Sequence, residues 1–368
     1  MPISRRNFTL SSAGALTALS AATVSAPTWA QPVENKRFVL ASRPAGKPTA
    51  ENFRFETQPI PELQDGQMLL RTRFLSLDPY MRGRMNAGES YAERVELGDV
   101  MVGGTVCEVL KSRNNAFAKG DIVSAFTGWQ EYAVSDGAGV SKVDPRIVQP
   151  SMALGVLGMP GLTAYVGLLD IGQPKAGDTV VLAASTGAVG SLVGQIAKLK
   201  GCRVVGIAGA EEKCRYAVDV LGYDACVSHY DDDMAQQLAA QCPDGIDVYF
   251  ENVGGSSWEA VMPLLNKYAR VPVCGLIAHY NQTELPPGPD RMSMLQGLIL
   301  TKSIKMQGFI VSDYVERVPA FVQDMSQWLA QGKVKYKEDV VDGLEKAPTA
   351  FMGLFKGANF GKLVVKVS

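Results

Sequence analysis

From Thr179 onward the apolar residues fall into strand-length runs separated by helix-length amphipathic stretches. TVVLAA precedes GSLVGQIAKLKG, and CRVVGIAG precedes EEKCRYAVDVLG. ACVSH precedes a polar helix, IDVYFENVGG precedes a helix through SWEAVMPLLNKYA, and RVPVCGLIA follows. Runs that are apolar throughout, rather than alternating, suit strands buried on both faces. Their regular exchange with helices predicts a doubly wound parallel sheet. Between Arg37 and about Val148 the pattern differs. FVLAS, QMLLRTRFLSL, VMVGGTVCEVL and DIVSAFTGWQEYAVS are short, closely spaced and broken by Gly and Pro, as in a compact β-rich unit. After about Ser312 come an amphipathic helix (YVERVPAFVQDMSQWLAQG), the run KYKEDVV, a short helix around Ala347–Leu354 and a closing strand, GKLVVKV.

The first thirty residues follow neither pattern. Arg5 and Arg6 lead into a weakly apolar stretch from Phe8 to Ala26, and small residues precede a candidate cut after Ala30. That is the layout of a cleavable secretory signal, too short and too rich in Ser, Thr and Ala to span a bilayer. The arginine pair in SRRNFTL resembles the twin-arginine type, which implies export of an already folded protein by the Tat machinery. The expected location is periplasmic or exported, with a cytoplasmic pool as the alternative. No later stretch reads as a membrane span, so no stable membrane anchor is expected.

Lys+Arg 36 against Asp+Glu 37 leaves a net charge of -1, with no basic block, which argues against nucleic acid as a partner. Six cysteines lie scattered without a C-x-x-C pair, and the two histidines, His229 and His279, have no metal-ligand spacing. Buried free thiols and no metal are the expectation.

Candidate chemistry begins where TVVLAA runs into STGAVGSLVG. Gly187 and Gly190 let the chain turn sharply and let a pyrophosphate approach the backbone, while Gly194 lets the following helix pack close to the strand. The helix N-terminus adds free N–H groups and a favourable dipole. The loop lies between a predicted strand and a predicted helix, the context that a dinucleotide site demands. An NAD site usually carries an acidic residue at the end of the next strand, to hold the ribose hydroxyls. Here Gly209 and Ala210 stand there, with Lys213 shortly after. Small residues leave room for a 2′-phosphate and Lys213 can meet its charge, so NADP(H) is the expected cofactor.

The chain resembles the zinc-independent branch of the medium-chain dehydrogenase/reductases, which includes prostaglandin reductases, plant alkenal double-bond reductases and bacterial curcumin reductase. The resemblance is carried by SRPAGKPTAENF, LSLDPYMRGRM, GWQEYAVSDG, LGVLGMPGLTAYVGLLDIG, AASTGAVGSLVGQIAKLKGCRVVGIAG, PDGIDVYFENVGG, RVPVCGLIAHYN, MQGFIVSDY and NFGKLVVKV. It implies a homodimer of α/β chains, each with a Rossmann domain inserted in a GroES-like β-rich catalytic domain. The expected division is a signal at 1–30, the first part of the catalytic domain at 31–155, the NADP-binding domain at 156–312 and a return to the catalytic domain at 313–368.

Carried over by position, the resemblance implies cofactor contacts at Gly187, Ala188, Val189, Gly190 and Ser191, and at Lys213 on the adenosine phosphate. His229 falls where relatives place a tyrosine near the adenosine, and Tyr230 could serve after a one-residue slip. Asn252, Cys274, Gly275, Tyr280, Phe309, Ile310, Val311 and Asn359 would complete the site. The implied activity is NADPH-dependent reduction of the carbon–carbon double bond of an apolar enone or enal, with hydride added to the β-carbon. A quinone reductase and an NADP(H)-binding sensor without turnover are the alternatives.

Negative charge developing on the carbonyl oxygen needs hydrogen-bond donors. Tyr280, at the end of a parallel strand, is the first catalytic candidate and Tyr80 in LDPYMR the second, although Tyr80 and Arg82 could instead only fix the loop. Met101, Phe309 and Ile310 would suit an apolar substrate or an apolar core. The proton donor to the α-carbon, tyrosine or water, stays open.

Overall fold

The computed structural model describes residues 34–145, 149–285, 288 and 290–368, and the expected signal segment 1–30 lies outside them. Six parallel strands form one sheet in the order Ala225–Ser228, Arg203–Ala208, Thr179–Ala183, Ile246–Phe250, Leu265–Val273, Lys305–Gly308. The first three expected strands are therefore laid down in one direction, and the rest in the other. The reversal falls between Thr179–Ala183 and Ile246–Phe250, and the crevice beyond their carboxyl ends is where such sheets take ligands. Val180, Val181, Leu182, Val248, Tyr249 and Phe250 are completely buried, as strands covered on both faces must be.

A seven-stranded, mostly antiparallel sheet makes up the β-rich part. Its strands run Glu338–Asp342, Lys362–Lys366, Met68–Ser76, Thr105–Ser112, Ile122–Ala125 and Ser141–Lys142, with Tyr132–Ser135 also on Met68–Ser76. The closing strand lies against the first half, Val364 opposite Ser76 and Val365 opposite Leu75. Strands from before and after the parallel sheet in sequence thus share one sheet, while Glu34–Leu40 and Phe53–Pro59 form a separate antiparallel pair. An aromatic cluster seals this part. Trp129 stacks on Phe53 with ring centroids 5.4 Å apart, and Phe351, from the helix Ala347–Leu354, meets Trp129 edge-on at 5.6 Å. Met101 belongs to this core and is fully buried, so of its two expected roles the core holds.

Three elements differ from the sequence reading. The helix expected through SWEAVMPLLNKYA stops at Val261. A 3-10 turn, Met262–Leu264, holds Pro263, and LNKYA already belongs to the next strand. The proline fits a first-turn position but no helix interior, so it resets the chain. The edge strand Lys305–Gly308 and the helix Met292–Lys302 were not foreseen. None of that helix's residues is buried, and MSMLQGLILTK has no polar face to reveal a period. The last amphipathic helix starts only at Val318, with Pro319 in its first turn, after a kinked 3-10 segment over Val311–Arg317.

Candidate active site

The glycine loop is built by close approach. Ala184, at the end of the strand Thr179–Ala183, takes a left-handed turn at φ 52°. Its carbonyl then passes so near Gly190 that a Cβ there would sit 2.3 Å from the oxygen, and one on Gly187 would sit 3.2 Å away. Among the described residues none accepts a hydrogen bond from the N–H of Ala188, Val189 or Gly190, which stand at the start of the helix Gly190–Leu199. Open N–H groups at a helix N-terminus, on a backbone flanked by the bare Gly187 and Gly190, fit a pyrophosphate. The close packing expected of Gly194 exists, but its partner is the ring of Tyr223 rather than the strand.

This loop forms one wall of a cleft of about 1040 Å³. At one end stand Lys213, His229, Tyr230, Lys356, Gly357 and Asn359. Lys213 Nζ donates to the carbonyl oxygens of Gly357 at 2.6 Å and Asn359 at 2.7 Å, joining the parallel-sheet part to the closing segment of the chain. An ammonium has three donors, so one remains for a phosphate. Burial lowers the Lys213 pKa, opposed by Asp339 and Glu212. The rings of His229 and Tyr230 lie 4.3 Å apart over Gly209, so both reach the place that the sequence left open between them. Burial also lowers the His229 pKa, with Lys213 adding to the effect, which favours a neutral ring.

Asn252, Cys274, Gly275 and Tyr280 meet where the strands Ile246–Phe250 and Leu265–Val273 end, and Phe309, Ile310 and Val311 continue the wall. Asn252 Nδ2 donates to the Ala183 carbonyl at 2.9 Å, fixing one strand end to the other. The loop carrying Tyr280 is braced by His279. Its Nε2 accepts from the Gly255 N–H at 3.3 Å, leaving Nδ1–H for Gln282 Oε1 at 2.9 Å. The backbone N–H of Leu276 donates to Tyr280 Oη at 3.4 Å, which leaves the phenolic hydrogen free to be given elsewhere. Burial raises the pKa of Tyr280, and that of Cys274 to about 12.

Tyr80 faces the same space from the β-rich part. Burial, reinforced by Asp78, pushes its hydroxyl well above the ordinary range. Arg82 does hold the loop. It is buried and bonded to Asn281 Oδ1 at 3.1 Å, Asn86 Oδ1 at 2.5 Å and the Gly46 carbonyl at 2.8 Å. All the expected site residues line this one cleft except Ser191, which is buried beside it with its carbonyl accepting from Gln195 Nε2 at 2.8 Å.

Sequence reasoning missed four residues of the cleft and its frame. Tyr91, in the polar stretch GESYAERVE, raises the pKa of both Tyr80 and Tyr280 by its proximity. Nothing around it in sequence marked it. Glu251 is buried and its Oε1 accepts from the N–H groups of Val253 at 2.7 Å and Gly254 at 2.8 Å, shaping the turn after Phe250. Lys362 and Asp78 form a buried ion pair at 2.9 Å across 284 residues, and Lys362 also donates to the Leu77 carbonyl. A lysine opening an apolar strand and an acid before Pro79 were the only signals. Among the described residues no group of three or more His, Cys, Asp and Glu could hold a metal ion.

A parallel sheet with a dinucleotide loop, opening on a tyrosine-lined cleft shared with a β-rich sheet, defines a nucleotide-dependent oxidoreductase architecture. Residues 36–143 match the family described as the N-terminal domain of oxidoreductase, and residues 188–329 the one described as zinc-binding dehydrogenase. The NADPH-dependent curcumin reductase of Escherichia coli (strain K12) is 56% identical over 92% of this chain and 98% of its own. Prostaglandin reductase 1 of Rattus norvegicus is 42% identical over 91% of this chain and 99% of its own. The crystal structure of CurA from Vibrio vulnificus in complex with NADPH superposes with a TM-score of 0.88 at 60% identity, covering 90% of this chain and 99% of that one. The chain belongs to the zinc-independent branch of the medium-chain dehydrogenase/reductase family, together with the curcumin and prostaglandin reductases.

Proposed function

We propose that this protein reduces the double bond of α,β-unsaturated ketones and aldehydes, with hydride entering at the β-carbon and no zinc taking part. It is an NADP(H)-dependent oxidoreductase that acts on carbon–carbon double bonds. NADPH, when bound, supplies the hydride. The loop from Gly187 to Gly190 would hold the pyrophosphate, and Lys213 the adenosine phosphate.

The observation that carries the reading is the meeting of Tyr80, Tyr91 and Tyr280 at the end of the cleft away from Lys213. A phenol is protonated near neutrality, and burial moves all three further from ionisation. They act there as hydrogen-bond donors and not as bases. A hydroxyl given to the enone oxygen withdraws charge from the β-carbon and stabilises the enolate that forms. Tyr280 is the best oriented, because the Leu276 N–H already occupies its oxygen. Water then protonates the α-carbon. The decisive test is NADPH absorbance decay with an alkenone, an alkenal, curcumin and a quinone. Oxidation by the enones and weak response to the quinone supports the reading; NADPH binding without oxidation by any of them points to a sensor.

The reading extends to assembly and location. The strand Lys305–Gly308 lies at the open edge of the parallel sheet, beside a helix that exposes Met292, Met294 and Leu300. An unpaired edge with an exposed apolar helix beside it suits a homodimer, and light scattering of the purified protein tests it. SRRNFTL supports Tat export of the folded, NADP-loaded enzyme. Cell fractionation that finds only full-length cytoplasmic protein would refute that.

A further inference from the structure

Four basic side chains line the cleft: Arg84, Lys213, Lys356 and Lys362. Lys213 and Lys356 stand at the phosphate end, and Lys362 is committed to Asp78. Arg84 closes the short helix Met81–Arg84, directly after Tyr80. Its Nε is buried without a hydrogen-bond partner, and among the described residues none accepts from its terminal nitrogens or forms an ion pair with it. Its charge opposes the rise in pKa of both Tyr80 and Tyr91, which puts it beside them at the substrate end. Asp78, the acid on that wall, is occupied by Lys362 and by the hydroxyl of Ser76.

A guanidinium keeps its charge at any ordinary pH and presents its donors as a planar fork suited to a carboxylate. Buried polar groups in folded proteins are satisfied as a rule, so an unpartnered one on a cleft wall asks for a ligand. The tyrosines already provide for the reacting carbonyl. We infer that Arg84 is a substrate-recognition residue that receives a carboxylate borne by the substrate at a distance from its enone, so that the favoured substrates are acidic enones. This rests on the enone-reductase reading.

The test uses the full-length protein with NADPH and a series of alkenones bearing a terminal carboxylate on chains of graded length, each beside its methyl ester. The expected result is a kcat/KM for the best acid about tenfold to a hundredfold above that of its ester, carried by KM and weakened by salt. Arg84→Gln should collapse that ratio, and Arg84→Lys should restore part of it. Equal use of acid and ester by the unaltered protein would overturn the proposal. So would an Arg84→Gln effect that lowers kcat for both alike, since Arg84 would then act at the carbonyl. If neither series oxidises NADPH, the reductase reading fails. Calorimetric titration of the same acids, with and without the Arg84→Gln change, then still decides whether the anion site exists.

Discussion

The ring of Tyr223 occupies the space that a Cβ on Gly194 would need, and its hydroxyl donates to the carbonyl oxygen of Gly190 at 2.9 Å. The third glycine of the loop therefore admits a fully buried tyrosine that grips the helix from below, one turn behind the phosphate-facing N–H groups.

Gly194→Ala would bring its methyl group within 2.1 Å of that ring. Overpacking of this kind costs about 1–3 kcal/mol. The expected outcome is a lower melting temperature together with weaker NADPH binding, because displacing Tyr223 releases Gly190. A stable variant with unchanged affinity would show that the helix tolerates a shifted ring.

Lys213→Ala removes the cation assigned to the adenosine phosphate. NADPH efficiency should fall about tenfold to a hundredfold while NADH efficiency changes little, the size expected of a charge-assisted hydrogen bond. The ratio of the two kcat/KM values is the measurement. An equal fall with both cofactors would mean that Lys213 matters only as the tie to Gly357 and Asn359.

Tyr280→Phe keeps the ring and deletes the donor. A kcat lower by about 10²-fold, with KM for the enone little altered, is expected if the hydroxyl stabilises the developing charge. Tyr80→Phe should cost less, because Tyr280 is held in place by Leu276.

The three tyrosines also set a pH limit. Burial raises each above the ordinary tyrosine value of about 10, so the donors remain protonated in the alkaline range where a free phenol would begin to ionise. Activity should stay level to about pH 10 and decline beyond it. The sign for stability follows. A folded pKa above the unfolded one favours the protonated folded chain, so the contribution is complete below about pH 10 and is lost as pH rises through the higher folded value. A kcat profile that breaks near pH 8 would refute donation by these hydroxyls.

Lys362→Met would leave Asp78 as a buried charge without its partner, a change that costs about 3–5 kcal/mol. The double change with Asp78→Asn should recover part of that loss, as measured by denaturant unfolding.

The strands of the parallel sheet were legible because covering both faces forces continuous apolar runs, and the glycine loop because its shape excludes side chains. Phe309, Ile310 and Asn359 line the cleft as the resemblance implies, and no local pattern marks them. What stayed hidden depends on distant partners. Tyr91 acquires its place from Tyr80 and Tyr280, and Lys362 its meaning from Asp78, while the exposed helix Met292–Lys302 buries no face from which a period could be read. Pro263 sits inside an apolar run whose period suits a helix, and only its missing N–H and fixed φ mark the turn that ends the helix there.

Gly187 of the phosphate loop bridges in parallel to Gly361, and Lys213 is tied to Gly357 and Asn359. The nucleotide pocket is thus finished by residues 144 and 146 positions downstream of Lys213. A nascent chain can wind its parallel sheet early yet has no complete grip on a dinucleotide until the segment from Gly357 to Gly361 has been made and swings back. Deleting that segment should then abolish cofactor capture in a protein whose Rossmann half is otherwise whole.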